Sequence, residues 1–129
     1  MNDNVVRIGI VHSDLKRLED CPRQEHEDAP AAFVEVYDEF ALGVKDIKVG
    51  AELILFTWLH RADRTVLTTR PRNNPNAAIT GVFSTRSPDR PTPIGIHHVK
   101  VISIVNNRIE VDELEVLDQT PIIDIKPVL

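Results

Sequence analysis

One cysteine, Cys21, in 129 residues leaves no internal disulfide and no thiolate metal cluster, and it fits a reducing compartment. Cys21 lies between Asp20 and Pro22 with Arg23 as its nearest basic neighbour, so it reads as an inert thiol rather than a nucleophile. Glycine is scarce too. The five, at positions 9, 43, 50, 81 and 95, spell neither a P-loop nor a dinucleotide fingerprint, and no Gly-x-Ser-x-Gly elbow occurs. Histidines 12, 26, 60, 97 and 98 lack metal-ligand spacing, and no metal is expected. No apolar run approaches the roughly 20 residues of a membrane-spanning helix. The opening MNDNVVRIGIVHSD has no basic flank followed by an apolar stretch, so no membrane association and a cytoplasmic location are expected. Net positive charge is also missing: the formal charge is −5.

That deficit is unevenly distributed. Between His60 and Lys100, six arginines and one lysine face only Asp63 and Asp89, so the block carries +5 and the remainder −10. Local potential steers a polyanion, so a basic face on an acidic body is compatible with nucleic acid. The other reading of the same pattern is pairing of these arginines with acidic flanks. With 42% hydrophobic residues and 129 in all, the chain is long enough to bury a real core and is expected to form a single domain over residues 1–129.

Short β-rich runs dominate. Arg7–Val11, Phe33–Tyr37, Ala51–Leu59 and Thr65–Thr69 read as strands. His98–Val105 and Arg108–Asp112 flank Asn106-Asn107, a strong hairpin signal because Asn tolerates positive φ. Leu114–Leu117 and Ile122–Ile125 read as further strands. Asp38–Ile47 has room for a helical turn, with Asp38 as its N-cap and Gly43 as its stop. Asp14–Asp28 and Arg70–Ala77 read as loops. Many short strands without βαβ alternation predict an all-β fold, a compact barrel with minor helix.

The densest chemistry lies in Ser84-Thr85-Arg86-Ser87-Pro88-Asp89-Arg90-Pro91-Thr92-Pro93-Ile94-Gly95. Each proline fixes its own φ and extends the residue before it, which stiffens the loop without a hydrogen-bond ladder. A stiff backbone presenting guanidinium forks suits a carboxylate or phosphate. A proline-rich turn with solvated arginines is the plain alternative. Arg23, Arg61, Arg86 and Arg90, together with Leu117-Asp118-Gln119-Thr120, suit a ligand with an amino-acid end and a nucleoside end.

Four stretches, in order, resemble the TrmO family, also called TsaA-like or YaeB-like proteins. They are Pro22-Arg23-Gln24, Trp58-Leu59-His60-Arg61, the segment Gly81 to Gly95, and LEVLDQTPIIDIKP from Leu114 to Pro127. The resemblance implies a β-barrel that binds S-adenosylmethionine near a homodimer interface. It also implies methylation of the exocyclic amine of threonylcarbamoyl-adenosine beside the tRNA anticodon. Carried over by motif, the cofactor contacts are Pro22, Arg23, Gln24, His60, Arg61, Arg86, Ile96, Leu117, Asp118, Gln119 and Thr120. Asp118 and Asp124 are the candidate catalytic acceptors, each with a purely structural alternative. Arg70, Arg72 and Arg90 are the candidates for tRNA phosphates.

Four positions depart from the family pattern. Thr92 stands for the usual Asn, Ile96 for Leu, His97 for a small hydroxyl residue and Gln119 for Gly. Longer members carry a C-terminal extension domain, and none is expected within residues 1–129. A competing reading keeps the cofactor pocket in a regulatory or small-molecule-binding module without tRNA activity; a third has a methyltransferase acting on another adenosine-bearing substrate.

Overall fold

The computed structural model describes residues 4–16, 30–71 and 74–129. Among them are eight strands: β1 (Gly9–His12), β2 (Ala32–Val36), β3 (Glu52–Trp58), β4 (Thr68–Thr69), β5 (Thr80–Gly81), β6 (Ile94–Val105), β7 (Arg108–Val111) and β8 (Pro121–Pro127). Six pair antiparallel in the order β1-β2-β7-β6-β3-β8, and β8 returns to β1, which closes the ring into a barrel. β4 and β5 form a separate two-stranded pair.

Period-two patterning decides which side chains face inward. Along β6, Gly95, His97, Val99 and Val101 are buried while Ile94, Ile96, His98 and Lys100 are exposed. Leu53, Leu55 and Thr57 face inward from β3. Val11, Val34, Ile109, Val111, Leu114 and Ile122 are fully buried at the centre. Burying each such aliphatic side chain stabilises the fold by roughly 1.5–3 kcal/mol. The Asn106-Asn107 turn joins β6 to β7 as the sequence predicts, with Asn106 at φ 56°. The adjacent His97 and His98 point to opposite faces, one buried and one exposed.

Several expectations are corrected. Leu114–Leu117 is no strand: Leu114, Val116 and Leu117 are all buried, and the segment is tied by single bonds, such as the Leu114 N–H to the Pro30 carbonyl at 2.9 Å. Only Thr68–Thr69 of the expected Thr65–Thr69 strand pairs, because Asp63 captures both the N–H and the hydroxyl of Thr65. Asp38–Val44 is a 3-10 helix with Tyr37 at the N-cap position and no side-chain cap, and it runs through Gly43. Asp38 instead accepts from the Asn107 amide at 3.0 Å. β6 begins four residues earlier than predicted, and a second 3-10 segment, Val82–Ser84, precedes the proline-rich loop. No helix among the described residues is long and apolar enough to cross a membrane.

Candidate functional site

Antiparallel pairing brings several chain ends to one rim of the barrel. β1 ends there and β2 begins, β3 ends at Trp58, and β6 and β8 begin at Ile94 and Pro121. The segments carrying His60-Arg61, Arg86 and Leu117–Thr120 therefore leave or enter the barrel on the same side. Pro22, Arg23, Gln24, Cys21 and Arg72 lie outside the described residues.

The proline-rich loop is stapled to the segment after β3. The Leu59 N–H donates to the Pro93 carbonyl (2.8 Å), Arg64 Nε to the Pro91 carbonyl (2.7 Å), and the Asp63 N–H to Asp89 Oδ1 (2.8 Å). Arg64 also lies 5.2 Å from the Trp58 ring centroid. His60 and Arg61 are exposed beside this junction. Partial burial lowers the His60 pKa, with the Arg61 and Arg7 charges adding to the effect, while a bond to the Trp58 backbone opposes it. Near neutral pH the ring is uncharged, in a local field set by two guanidiniums. Arg7, which sequence reasoning passed over, belongs to that field only through the three-dimensional arrangement.

The two arginines of the loop divide. Arg90 turns back and donates to the Val82 carbonyl and, at 3.0 and 3.1 Å, to the Thr85 carbonyl, closing the second 3-10 segment. Arg86 is exposed and has no hydrogen bond to another described residue. Arg70 donates to the Ala77 carbonyl at 2.7 Å beside the β4–β5 pair.

The Leu117–Thr120 turn is anchored on the end of β1. The Gln119 N–H donates to the Val11 carbonyl (2.7 Å), the Val11 N–H to the Thr120 carbonyl (2.9 Å) and the Asp118 N–H to the Leu15 carbonyl (2.7 Å). Gln119 adopts φ 70°, so the turn keeps the left-handed residue that a glycine would supply more readily. Asp118 Oδ1 accepts the Ser13 N–H at 2.9 Å and Oδ2 faces Lys16 Nζ at 2.9 Å. Burial alone would raise its carboxyl; the Ser13 N–H, the Gln119 side chain and the Lys16 ammonium prevail and hold it below the ordinary carboxylate value.

Asp118 and Gln119 border a cleft of about 340 Å³ together with His12, Lys16, Phe33 and Arg108. His12 Nε2 lies 2.7 Å from Glu35 Oε1, and Arg108 covers the Phe33 ring at 4.5 Å. These residues were not singled out from sequence; the outward alternation of β1 and β2 is the only signal for His12, Phe33 and Glu35, and Arg108 reaches them from β7. Asp124 lies apart, on a second cleft of about 350 Å³ with Val5, Val6, Phe56 and Ile94. Asp124 and Ile96 both pair with Phe56, on opposite sides of β3, so they lie on the outer wall below the rim.

A "Probable S-adenosyl-L-methionine-binding protein" of Archaeoglobus fulgidus is 36% identical over 121 residues, covering 94% of this chain and 32% of the relative. A second A. fulgidus protein, named an S-adenosyl-L-methionine-binding protein, is 37% identical over 119 residues, 92% of this chain and 84% of its own. The crystal structure of TrmO from Pseudomonas aeruginosa superposes with a TM-score of 0.78 at 26% identity, covering 100% of this chain and 57% of that one. The chain thus spans about a third of one curated relative and little more than half of the solved P. aeruginosa chain. Residues 10–129 match the tRNA-methyltransferase O N-terminal domain, and the chain belongs to that family.

Proposed function

We propose that this protein binds S-adenosylmethionine at the rim and methylates tRNA at the exocyclic amine of threonylcarbamoyl-adenosine beside the anticodon. The observation that carries the reading is the convergence of the motif-bearing segments on one rim, within a family match that covers residues 10–129. The side chains there fit such a ligand: Arg86 and Arg61 offer exposed forks for its carboxylate, and the Leu117–Thr120 turn offers acceptors for its ribose. His60, uncharged near neutral pH, adds a polar contact without further positive charge.

When bound, S-adenosylmethionine supplies an electrophilic methyl group. The protein's part is to hold the amine lone pair in line with it. Asp118, held ionised by the Ser13 N–H and Lys16, would be the acceptor for the proton that the amine must lose. Asp124 is the alternative acceptor, and the reading has the protein act as a homodimer. Arg70, Arg72 and Arg90 are assigned to tRNA phosphates, Arg90 through the loop it holds. Residues 1–129 would act as one domain in the cytoplasm.

Nucleosides from tRNA incubated with the protein and methyl-labelled S-adenosylmethionine test the reading by mass spectrometry. Label on threonylcarbamoyl-adenosine is expected. Cofactor binding without label in any nucleoside would favour the second reading, a binding module, which the relatives' names, stating binding alone, also suit. Light scattering with and without cofactor tests the homodimer, and a monomer in both would exclude it.

A further inference from the structure

Inside the barrel, three polar side chains from three separate segments join in one chain of hydrogen bonds. Thr57 at the end of β3 is fully buried, and the side chains of His97 on β6 and Glu115 are only 5% and 9% exposed. His97 Nε2 lies 2.7 Å from Thr57 Oγ1, and its Nδ1 bonds to Glu115 Oε1. Both ring nitrogens of His97 are thus engaged, one by a hydroxyl and one by a carboxylate. Glu115 Oε2 is buried without a partner among the described residues. Gly95 makes room for the chain: a Cβ there would stand 2.6 Å from His97 Nε2 and nearer still to Thr57 Oγ1. None of these residues lines either cleft.

Such a network is a costly way to fill a core. A buried carboxylate with one oxygen unpaired is less stable than an apolar side chain of similar volume, so packing alone does not account for it. Its placement does. Thr57 lies three residues before His60, His97 directly follows Ile96 and the proline-rich loop, and Glu115 lies two residues before Leu117. The three segments that carry the rim residues are thus bonded to one another at their roots, across β3, β6 and the run into β8.

We propose that His97 is a positioning residue: through Thr57 and Glu115 it fixes the three rim segments in one mutual register, and thereby sets cofactor affinity. The second half of this statement rests on the cofactor reading above; the first does not. It predicts that breaking the network loosens the rim selectively, leaving the opposite end of the barrel unchanged.

Amide hydrogen exchange of the free, full chain reads this directly. The rim amides are those of Leu59, Asp63, Asp118 and Gln119, and the reference amides at the far end are Val36 and Ile47. Thr57→Val, which keeps the volume and removes the hydroxyl, is expected to speed rim exchange about tenfold or more with little change in the reference amides. Thr57→Ser should stay near wild type. Val99→Ala, a cavity on β6 outside the network, should speed exchange at both ends alike. Should Thr57→Val fail to fold, the triple variant Thr57→Val with His97→Leu and Glu115→Leu gives the whole network an apolar replacement; it should keep or raise the melting temperature while the rim still loosens. Wild-type rim exchange in these variants, or a uniform rise matching Val99→Ala, would overturn the proposal. Calorimetry with S-adenosylmethionine adds the functional arm: about fivefold or more weakening is expected in Thr57→Val and restoration in Thr57→Ser. A wild-type protein that binds no S-adenosylmethionine would remove the cofactor reading, while exchange alone would still decide the positioning role.

Discussion

Replacing Asp118 separates holding the rim from proton transfer. Its ion pair with Lys16, whose side chain is 63% exposed, contributes about 0–1 kcal/mol. The Ser13 N–H is the larger matter: Ser13 is buried, and the 2.9 Å bond is to a charged acceptor, worth about 1.5–3 kcal/mol. Asp118→Ala should therefore cost about 2–3 kcal/mol, and Asp118→Asn, which keeps an oxygen for Ser13, about 1 kcal/mol. The pH dependence has a definite sign. The folded pKa lies below the unfolded one, so the stabilisation is present above the unfolded value near pH 4 and is lost as pH falls through the lowered folded value. Urea unfolding followed by the fluorescence of the lone Trp58 should show a gap between wild type and Asp118→Asn at pH 7 that narrows toward pH 3. A loss under about 0.5 kcal/mol in Asp118→Ala, or a gap equal at both pH values, would refute the assignment of Asp118 as a tether. If Asp118 also accepts the amine proton, the stable Asp118→Asn protein will bind cofactor but transfer methyl groups far more slowly.

Gly95→Ala should destabilise by about 1–3 kcal/mol, measured by the same unfolding assay, because its methyl group meets Thr57 and His97. Gln119→Gly should stabilise by about 0.5–1 kcal/mol, the relief of a left-handed residue less the entropy of the unfolded glycine, visible as a raised melting temperature. Arg86→Ala should leave stability unchanged and weaken S-adenosylmethionine binding roughly ten- to a hundredfold by calorimetry, whereas Arg90→Ala should lower stability itself by uncapping the Val82 and Thr85 carbonyls. Because the folded pKa of His60 lies below its unfolded value, His60 should cost the protein a small amount of stability as pH falls through about 6.5, and His60→Gln should remove that contribution, changing the slope of thermal melts between pH 7.5 and 5.5 relative to wild type.

The strands were legible where side-chain alternation and turn chemistry agreed, as in the β6–β7 hairpin around Asn106-Asn107. Leu114–Leu117 misled because its β-rich composition serves a buried, irregular run tethered at Leu114 rather than a ladder. The rim loops were legible as motifs, but the work of individual side chains was not. Nothing in the sequence distinguishes Arg86, which faces outward, from Arg90, which turns back onto backbone carbonyls. His97 was visible only as a departure from a family pattern. Its partners lie 40 and 18 residues away, and the pairing of β3 with β6 and the return of the chain after β7 bring them together.

Closure also has a consequence in time. β1 meets β8 through just two residue pairs, Gly9 with Ile122 and Ile10 with Pro121, and the adjoining bond from the Ser13 N–H to Asp118 spans 105 residues. Contacts so distant along the chain form only after a large loop-closure entropy has been met, which places this protein among the slower-folding topologies, on millisecond-to-second timescales. A ribosome emitting the chain from its first residue releases β1, β2, β3 and the β6–β7 hairpin well before β8. The rim turn can dock on β1 only once the segment leading into β8 has emerged, so the pocket beside Asp118 and the seam of the barrel are completed in the same late event. Slow synthesis or truncation near residue 120 would therefore leave strands without a ring and no partly working site.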